Sequence, residues 1–242
     1  MPRGQPDFGV YAVKETVSGL ADLGELAARL GSIATFDRRG DVVWFDDFEN
    51  DLSAWYELGV GTDHDAYMSA ESARNGAFSC KLITGRTLGQ GSKIIHISSG
   101  LVPSKIGIEV SFTTNANLDE FRVRLYLYDS VYYYTPEIRC YLSTRELKYI
   151  DAENDPIPFA TNVFLSPHNQ LYHTLKFVFD QPNQTYSRVI LDNVPYDLSG
   201  IPVRKRESDL YPRYWIEIAT RASADANVTS FVDDVIITQN EP

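Results

Sequence analysis

The chain has 242 residues, of which 43% are hydrophobic and 23% charged, a composition typical of globular rather than disordered or fibrous proteins. Its 33 Asp and Glu residues outnumber 22 Lys and Arg residues, giving a formal net charge of −11. Nucleic acids and anionic membranes attract basic surfaces, so this balance argues against both as partners. The longest apolar runs, such as 42–45 and 175–179, have the length of a strand, far below the roughly 20 residues of a transmembrane segment.

Residues 1–40 are predicted to form an extended arm followed by one helix. Pro and Gly residues surround Phe8 and Tyr11, which is typical of an arm with aromatic anchors. From residue 13 to residue 31, apolar residues recur at spacings of three and four, which predicts an amphipathic helix of about four turns. Its apolar side includes Val17, Leu20, Leu23 and Leu26. Such a helix needs a surface to pack on, and the sequence leaves open whether that surface belongs to the same chain or to a neighbour.

From residue 41 to residue 242, alternating apolar residues and turn residues predict a mainly β domain. The predicted strands cover 41–48, 77–84, 93–97, 106–113, 121–128, 131–142, 147–150, 174–180, 186–191, 214–220 and 230–238. These eleven segments, without alternating helices, favour an antiparallel two-sheet sandwich or barrel. Cys80 and Cys140 lie in predicted strands and are expected to be buried free thiols.

Four stretches, taken in order, resemble the concanavalin-A-like and laminin-G-like jelly rolls, with overlap toward carbohydrate-binding modules. The first is WFDDFE at 44–49, followed by LSAW at 52–55, and the second is SARNGAFSCKL at 72–82. The third is HTLKFVFD at 173–180 with the segment 186–198, and the last is FVDDVII at 231–237. The resemblance covers residues 44–238 and implies a jelly-roll sandwich, a fold that hosts lectins, enzymes and structural domains.

The order of arm, short helix and acidic jelly roll is similar to the build of virion proteins of tailed bacteriophages. This resemblance implies a non-enzymatic capsid decoration or tail-associated protein, assembled in the host cytoplasm and associated with other copies of itself or with capsid or tail subunits. In that hypothesis the arm and helix contact the neighbouring subunit through Phe8, Tyr11, Val17, Leu20, Leu23 and Leu26. The alternative is a cytoplasmic or extracellular carbohydrate-binding module whose partner is a glycan.

A metal site is predicted where the first and last strands would pair. Asp47 and Glu49 follow the first strand, and Asp234 lies in the last. Calcium prefers six to eight oxygen ligands of this kind, and carbohydrate-binding modules often hold a structural calcium here, so these three carboxylates are the candidate ligands. The alternative is that they are solvated edge carboxylates bonded to backbone.

The sequence predicts no catalytic residues. Jelly-roll glycosidases carry paired carboxylates on one strand, whereas Glu109 and Glu217 each stand alone in a strand and are expected to be ordinary outward-facing residues. Six tyrosines between residues 126 and 141 fall in one predicted hairpin, where Tyr132 and Tyr134 share a strand face. Core or cross-strand packing is the first interpretation of these two tyrosines and a subunit interface the second. The third is a glycan platform, for which they are the candidate residues.

Overall fold

The computed structural model describes residues 39–223 and 227–242, and this part of the chain contains strands and turns but no helix. The chain divides into two units, Met1–Arg38 and Arg39–Pro242, of which the second holds all the described residues. The predicted arm and helix lie outside the described residues. Within the part that is described, no helix has the length and apolar character that a membrane span requires.

Within residues 39–223 and 227–242, seventeen strands, all paired antiparallel, form two sheets. The eight-stranded sheet has the order β14-β13-β12-β6-β17-β4-β3, and β1 pairs with β17. Its strands are β1 (Asp41–Asp46), β3 (His64–Ser69), β4 (Ser79–Thr84), β6 (Lys105–Phe112), β12 (His173–Asp180), β13 (Thr185–Leu191), β14 (Val194–Asp197) and β17 (Thr229–Gln239). The first and last strands therefore pair, as the resemblance implied.

The nine-stranded sheet has the order β11-β10-β9-β7-β16-β5-β2, with β8 added to β7 and β15 added to β8. Its strands are β2 (Trp55–Val60), β5 (Gly91–Ser99), β7 (Leu118–Tyr128), β8 (Tyr132–Tyr134), β9 (Glu137–Tyr141), β10 (Glu146–Ile150), β11 (Pro156–Ala160), β15 (Lys205–Glu207) and β16 (Arg213–Ala222). The central strands β9, β7 and β16 are thus neighbours in space, although β7 and β16 are far apart in the chain.

The sequence predicts the long strands well and the short ones poorly. The segment 131–142, predicted as one strand, is divided into β8 and β9 at Thr135 and Pro136, since a proline has no backbone N–H to donate to a sheet. Five strands are absent from the prediction, β2, β3, β11, β14 and β15. All five lie at sheet edges, and most of their side chains are exposed or half-buried, so they lack a clear apolar alternation. These corrections leave the predicted fold class, a two-sheet antiparallel sandwich, confirmed.

A single apolar core lies between the two sheets. Phe112 of β6 stacks on Phe121 of β7 with ring centroids 3.9 Å apart, joining the sheets at their centre. Cys80 and Cys140 are buried and free, as predicted, and burial raises the pKa of both thiols. The Tyr186 hydroxyl, fully buried, donates to Ile150 O at 2.8 Å and accepts from Glu137 N at 2.9 Å. This tyrosine of one sheet thereby fixes the backbone of β9 and β10 in the other.

Candidate functional site

The strongest candidate site is the outer face of the nine-stranded sheet, meaning the side chains that point away from the core. Strand β7 shows why this face is polar and aromatic, because its residues alternate between two environments. The inward set consists of Phe121, Val123, Leu125 and Leu127, all within the core. The outward set consists of Glu120, Arg122, Arg124, Tyr126 and Tyr128. One strand therefore supplies two cations, one carboxylate and two phenols to the same surface.

Strand register brings complementary charges beside β7. Arg124 lies opposite Glu137 of β9 on one side and opposite Glu217 of β16 on the other. One step along the strands, Arg122 lies opposite Arg139 and Ala219. We call the resulting network the ion lattice, which consists of Lys93, Glu120, Arg122, Arg124, Glu137, Arg139, Glu217 and Arg221.

The ion lattice holds three carboxylates that are each only 2% exposed, those of Glu120, Glu137 and Glu217. Glu217 Oε1 lies 3.0 Å from Arg122 Nη2, and Glu217 Oε2 lies 2.9 Å from Lys93 Nζ. Buried carboxylates without cations would be strongly destabilising, so these pairs are a requirement of the fold as well as a feature of the surface.

The other two carboxylates bridge the remaining arginines. Glu137 accepts from Arg124 Nε and, at 2.5 Å, from Arg139 Nε. Glu120 lies 3.2 Å from Arg221 Nη2 and 3.7 Å from Arg139 Nη1. Each carboxylate is therefore shared between cations of different strands, which fixes the guanidinium groups relative to one another.

Neighbouring charges shift the pKa values of Glu217 and Arg124 within the lattice. Burial alone would raise the pKa of Glu217, but Arg122, Arg124 and Lys93 outweigh it and hold that pKa below its ordinary value. Burial alone would lower the pKa of Arg124. Glu137, Tyr126 and Glu217 outweigh burial, so the pKa of Arg124 lies above its ordinary value. A carboxylate with a depressed pKa is no proton donor near pH 7, so Glu217 can accept hydrogen bonds but not act as a general acid there.

The aromatic patch, formed by Tyr126, Tyr128, Tyr133 and Trp215, adjoins the ion lattice on the same face. The rings follow one another, with centroids 5.6 Å apart for Tyr126 and Trp215, 5.4 Å for Trp215 and Tyr128, and 5.4 Å for Tyr128 and Tyr133. The guanidinium of Arg213 lies 5.1 Å from the Tyr128 ring centre and 4.9 Å from that of Trp215. Arg124 Nη1 donates to Tyr126 Oη at 2.5 Å, which links patch and lattice. Tyr128 is only 7% exposed, so the flat apolar surfaces that the face offers beside its charged groups are those of Tyr126, Tyr133 and Trp215.

The predicted glycan tyrosines do not lie on this face. Tyr134 is 4% exposed, pairs with the inward Leu127 and donates to Asp129 Oδ2 at 3.0 Å. Tyr132 shares its side of β8 and packs against the core. Tyr134 therefore cannot serve as a platform, and the intervening Tyr133, opposite Tyr128, occupies the outward position. Sequence alternation separates the two strand faces but does not say which one is inward.

The environment of Glu217 also differs from the predicted one, in which Glu217 is an ordinary outward-facing residue. It does point outward, but it is buried by the cations around it. Its role follows from the neighbours that β5 and β7 bring to β16. The sequence pattern that indicates this outer face is the alternation of charged and aromatic residues with apolar ones in β7, β9 and β16. A single sequence does not show that these strands are adjacent.

The predicted calcium ligands lie close together but are bonded to protein groups. Glu49 Oε1 accepts from the backbone N–H groups of Ala77 and Phe78, both at 2.8 Å. Asp234 Oδ2 accepts from Asn75 Nδ2 at 2.7 Å and lies 3.6 Å from Arg74 Nη1. Burial and the charges of Asp47 and Glu49 raise the pKa of Asp234, against the opposing effect of Arg74. In the described part of the chain, no three acidic, His or Cys residues are arranged to hold a metal, and calcium stays a prediction.

The predicted interface residues lie outside the described part of the chain. They are Phe8, Tyr11, Val17, Leu20, Leu23 and Leu26. Their proposed contact with a neighbouring subunit stays a prediction.

Comparison with known proteins shows the fold. No known protein-family model and no curated protein matches the sequence. Among solved structures, the chain is similar to an endo-β-1,4-glucuronan lyase from the fungus Trichoderma reesei, with a TM-score of 0.56 and 10% identity over 82% of this chain and 95% of that one. It is also similar to the alginate lyase vAL-1 from a Chlorella virus, with a TM-score of 0.56 and 11% identity over 82% and 99% of the two chains.

A third similar structure is the carbohydrate recognition domain of Emp47p, with a TM-score of 0.52 and 10% identity over 85% of this chain and 99% of that one. These likenesses show that the chain has the fold of a jelly-roll sandwich, as the four sequence stretches implied.

Proposed function

We propose that the protein binds a glycan on the outer face of its nine-stranded sheet. The observation that carries this proposal is the aromatic patch, four rings in continuous contact, lying directly beside the ion lattice. Sugars combine apolar ring faces with hydroxyl groups, so a site for them needs flat apolar surfaces next to fixed donors and acceptors. The similar structures support the proposal, since one is named as a carbohydrate recognition domain and two as polysaccharide lyases.

The rigidity of the face also supports binding. The guanidinium groups are fixed by shared carboxylates, and the central rings are held by their neighbours and by Arg213. A surface whose side chains are already ordered loses little conformational entropy when a ligand binds. Long unpaired side chains on a solvated sheet would not have this property.

Trp215→Ala tests the proposal. Calorimetry on the full chain, after a glycan array has identified a ligand, should show an affinity at least about tenfold lower for the variant, because the central ring of the patch is gone. Tyr67→Ala is the matched control, since this tyrosine is partly exposed on β3 in the other sheet. Equal affinity for the native chain and the Trp215 variant would contradict the proposed face, and no bound glycan would contradict the function.

The same samples test whether the bound glycan is cleaved. The sequence predicts a non-enzymatic protein, whereas two similar structures are named as lyases. Incubation followed by chromatography of the glycan, together with the ultraviolet absorbance of unsaturated sugar ends, separates binding from eliminative cleavage. An unchanged glycan is the expected result.

The virion hypothesis rests on residues 1–40 and is not supported by any described residue. It stays a prediction, tested by assembly rather than by the glycan site. A glycan-binding jelly roll and an anchoring arm are compatible properties of one chain.

A further inference from the structure

The outer face is basic, although the protein as a whole carries a net charge of −11. The cations that register places on this face are Lys93, Arg122, Arg124, Arg139, Lys148, Arg206, Arg213 and Arg221. The carboxylates on it are those of Glu120, Glu137, Glu146 and Glu217. Asp119, near the start of β7, adds a fifth, since its Oδ2 lies 2.7 Å from Arg221 Nη2. Eight cations against five carboxylates leave a local excess of three positive charges. The face therefore has the opposite sign from the rest of the molecule.

The excess positive charge is concentrated in one row of side chains that crosses the strands. We call this row the cationic row. It runs from Lys148 through Arg139 and Arg122 to Lys93, with Ala219 between the last two. Neighbouring strands are about 4.8 Å apart, so the row extends for about 19 Å. Like charges directly opposite one another destabilise a sheet, and here the carboxylates of the adjoining rows offset that repulsion. The lattice thus holds cations closer together than they would otherwise lie.

A cavity opens in this row where the side chains are smallest. Its volume is about 90 Å³, and Gly91 and Ala219 line it. A Cβ atom on Gly91 would lie 2.3 Å from Thr220 O, so the close approach of the two strands requires glycine. Lys93, Arg122 and Arg221 supply its cationic groups, while Val60 adds an apolar one. A water molecule occupies about 30 Å³, so the cavity has the size of a small polar group of a few atoms.

We propose that this cavity receives the acidic group of an anionic polysaccharide, either a carboxylate or a sulfate ester. The inference rests on the proposed glycan-binding function and names the class of glycan. Guanidinium groups bind both anions through paired hydrogen bonds, and the lysine adds a point charge. Glu120, which lines the cavity, lies 3.2 Å from Arg221 and 3.6 Å from Arg122, and Asp119 Oδ2 lies 2.7 Å from Arg221 Nη2. Both carboxylates are therefore paired with cations, and Arg122 and Lys93 remain the cavity's other positive groups. The sugar ring would then extend from the cavity along the row toward Arg139.

Binding by the full chain to matched pairs of oligosaccharides tests the inference. One pair is a hexuronate oligomer and its carboxyl-reduced form, and the other is a sulfated galactan oligomer and its desulfated form. Within at least one pair the acidic member should bind at least about tenfold more tightly, and the pair that shows this difference identifies the acidic group. The preference should weaken as salt is added, because ions screen the attraction.

Two variants locate the effect. Arg221→Gln removes a partly exposed cation from the cavity, and Ala219→Leu fills the cavity without changing charge. Both should lose the preference for the acidic member, measured as the ratio of the affinities for the two members of a pair. Lys105→Gln, on β6 of the other sheet, is the matched control and should behave like the native chain. Circular dichroism identifies a variant that has not folded, and the inference is then judged on the other variant.

The possible results distinguish a failure of the proposed anion cavity from a failure of the proposed glycan binding. Equal binding of acidic and neutral members in both pairs would overturn the inference and leave glycan binding in place. A preference for the acidic member that survives in the folded variants would overturn the assignment to this cavity. No binding of any oligosaccharide would overturn the inference and the proposed function together.

Discussion

Asp233 is a carboxyl group buried beside another carboxyl group. It is fully buried in β17, next to Asp234, at the point where the pairing of β17 with β6 skips between Asp233 and Ile236. Its Oδ2 accepts from Arg74 N at 2.8 Å, and its Oδ1 accepts from Asp234 N at 2.9 Å. Burial, and then the charge of Asp234, raise the pKa of Asp233 to about 7. This residue should therefore carry a proton in the folded protein at mildly acidic pH.

Asp233→Asn should remove a specific pH dependence of stability. Between the ordinary value of 3.8 and about 7, the folded chain holds a proton that the unfolded chain has released. The free energy of unfolding of the native protein should fall as pH rises through this window, by up to about 1.4 kcal/mol per pH unit from this group. Urea denaturation across the window should show the Asn variant gaining stability relative to the native chain as pH rises. Exposed Asp209→Asn is the control, and a pH-independent difference for Asp233→Asn would contradict the assigned protonation.

At the scale of elements, alternation in the sequence predicts each strand's two faces but not its neighbours. The outward residues of β7 could be separated from the inward ones because Phe121, Val123 and Leu125 are apolar at every second position. The pairing of Arg124 with Glu217 could not be predicted, because it depends on a contact between strands about 90 residues apart. The same limit applies to Tyr134 and Tyr133, because in a run of three tyrosines the sequence does not show which face is outward.

Glu217→Gln tests whether the ion lattice stabilises the sandwich. Removing one buried partner leaves Arg122, Arg124 and Lys93 without a shared anion, which should lower the free energy of unfolding by about 3 kcal/mol at pH 7. The folded-state pKa of Glu217 is depressed, so its contribution is present above the ordinary value of 4.5 and is lost as pH falls below it. The difference between native and variant in urea denaturation should accordingly shrink in acid.

The control for that experiment is Glu146→Gln, at the margin of the same face. Glu146 Oε2 lies 2.9 Å from Lys148 Nζ, but both side chains are partly exposed. Such a solvated pair contributes little to stability, because water and salt screen the attraction. Equal losses of stability for the two variants would show that the lattice behaves as an ordinary solvated surface.

At the scale of the whole molecule, charge is divided unevenly between surfaces. The chain has eleven more carboxylates than Lys and Arg residues, yet one sheet face carries an excess of cations. The composition excludes a protein that is basic overall but not one with a basic face. Net charge is summed over the whole surface, whereas a ligand contacts only one part of it. The fold could be predicted from the sequence, since four separate stretches occur in the order in which they resemble those of jelly rolls.

Residues 39–242 should fold without the first 38 residues. Both sheets and the core between them lie in this unit, and it contains enough apolar surface to be stable alone. A chain beginning at Arg39 should unfold cooperatively with urea and retain glycan affinity, because the aromatic patch and the ion lattice are complete within it. Loss of folding in the shorter chain would show that the first 38 residues contribute to the stability of the sandwich.

Light scattering on both chains tests the predicted role of the arm and helix. If the full chain forms an oligomer and the shorter chain is a monomer, the segment containing Phe8, Tyr11 and the apolar helix face drives assembly. Burial of several such side chains, at about 1.5–3 kcal/mol each, would be sufficient to hold copies together. If both chains have the mass of a monomer, the self-assembly form of the arm hypothesis is wrong. Glycan binding measured on the same two samples then shows whether assembly raises apparent affinity for a polymer, since several linked sites bind a repeating ligand more tightly than one.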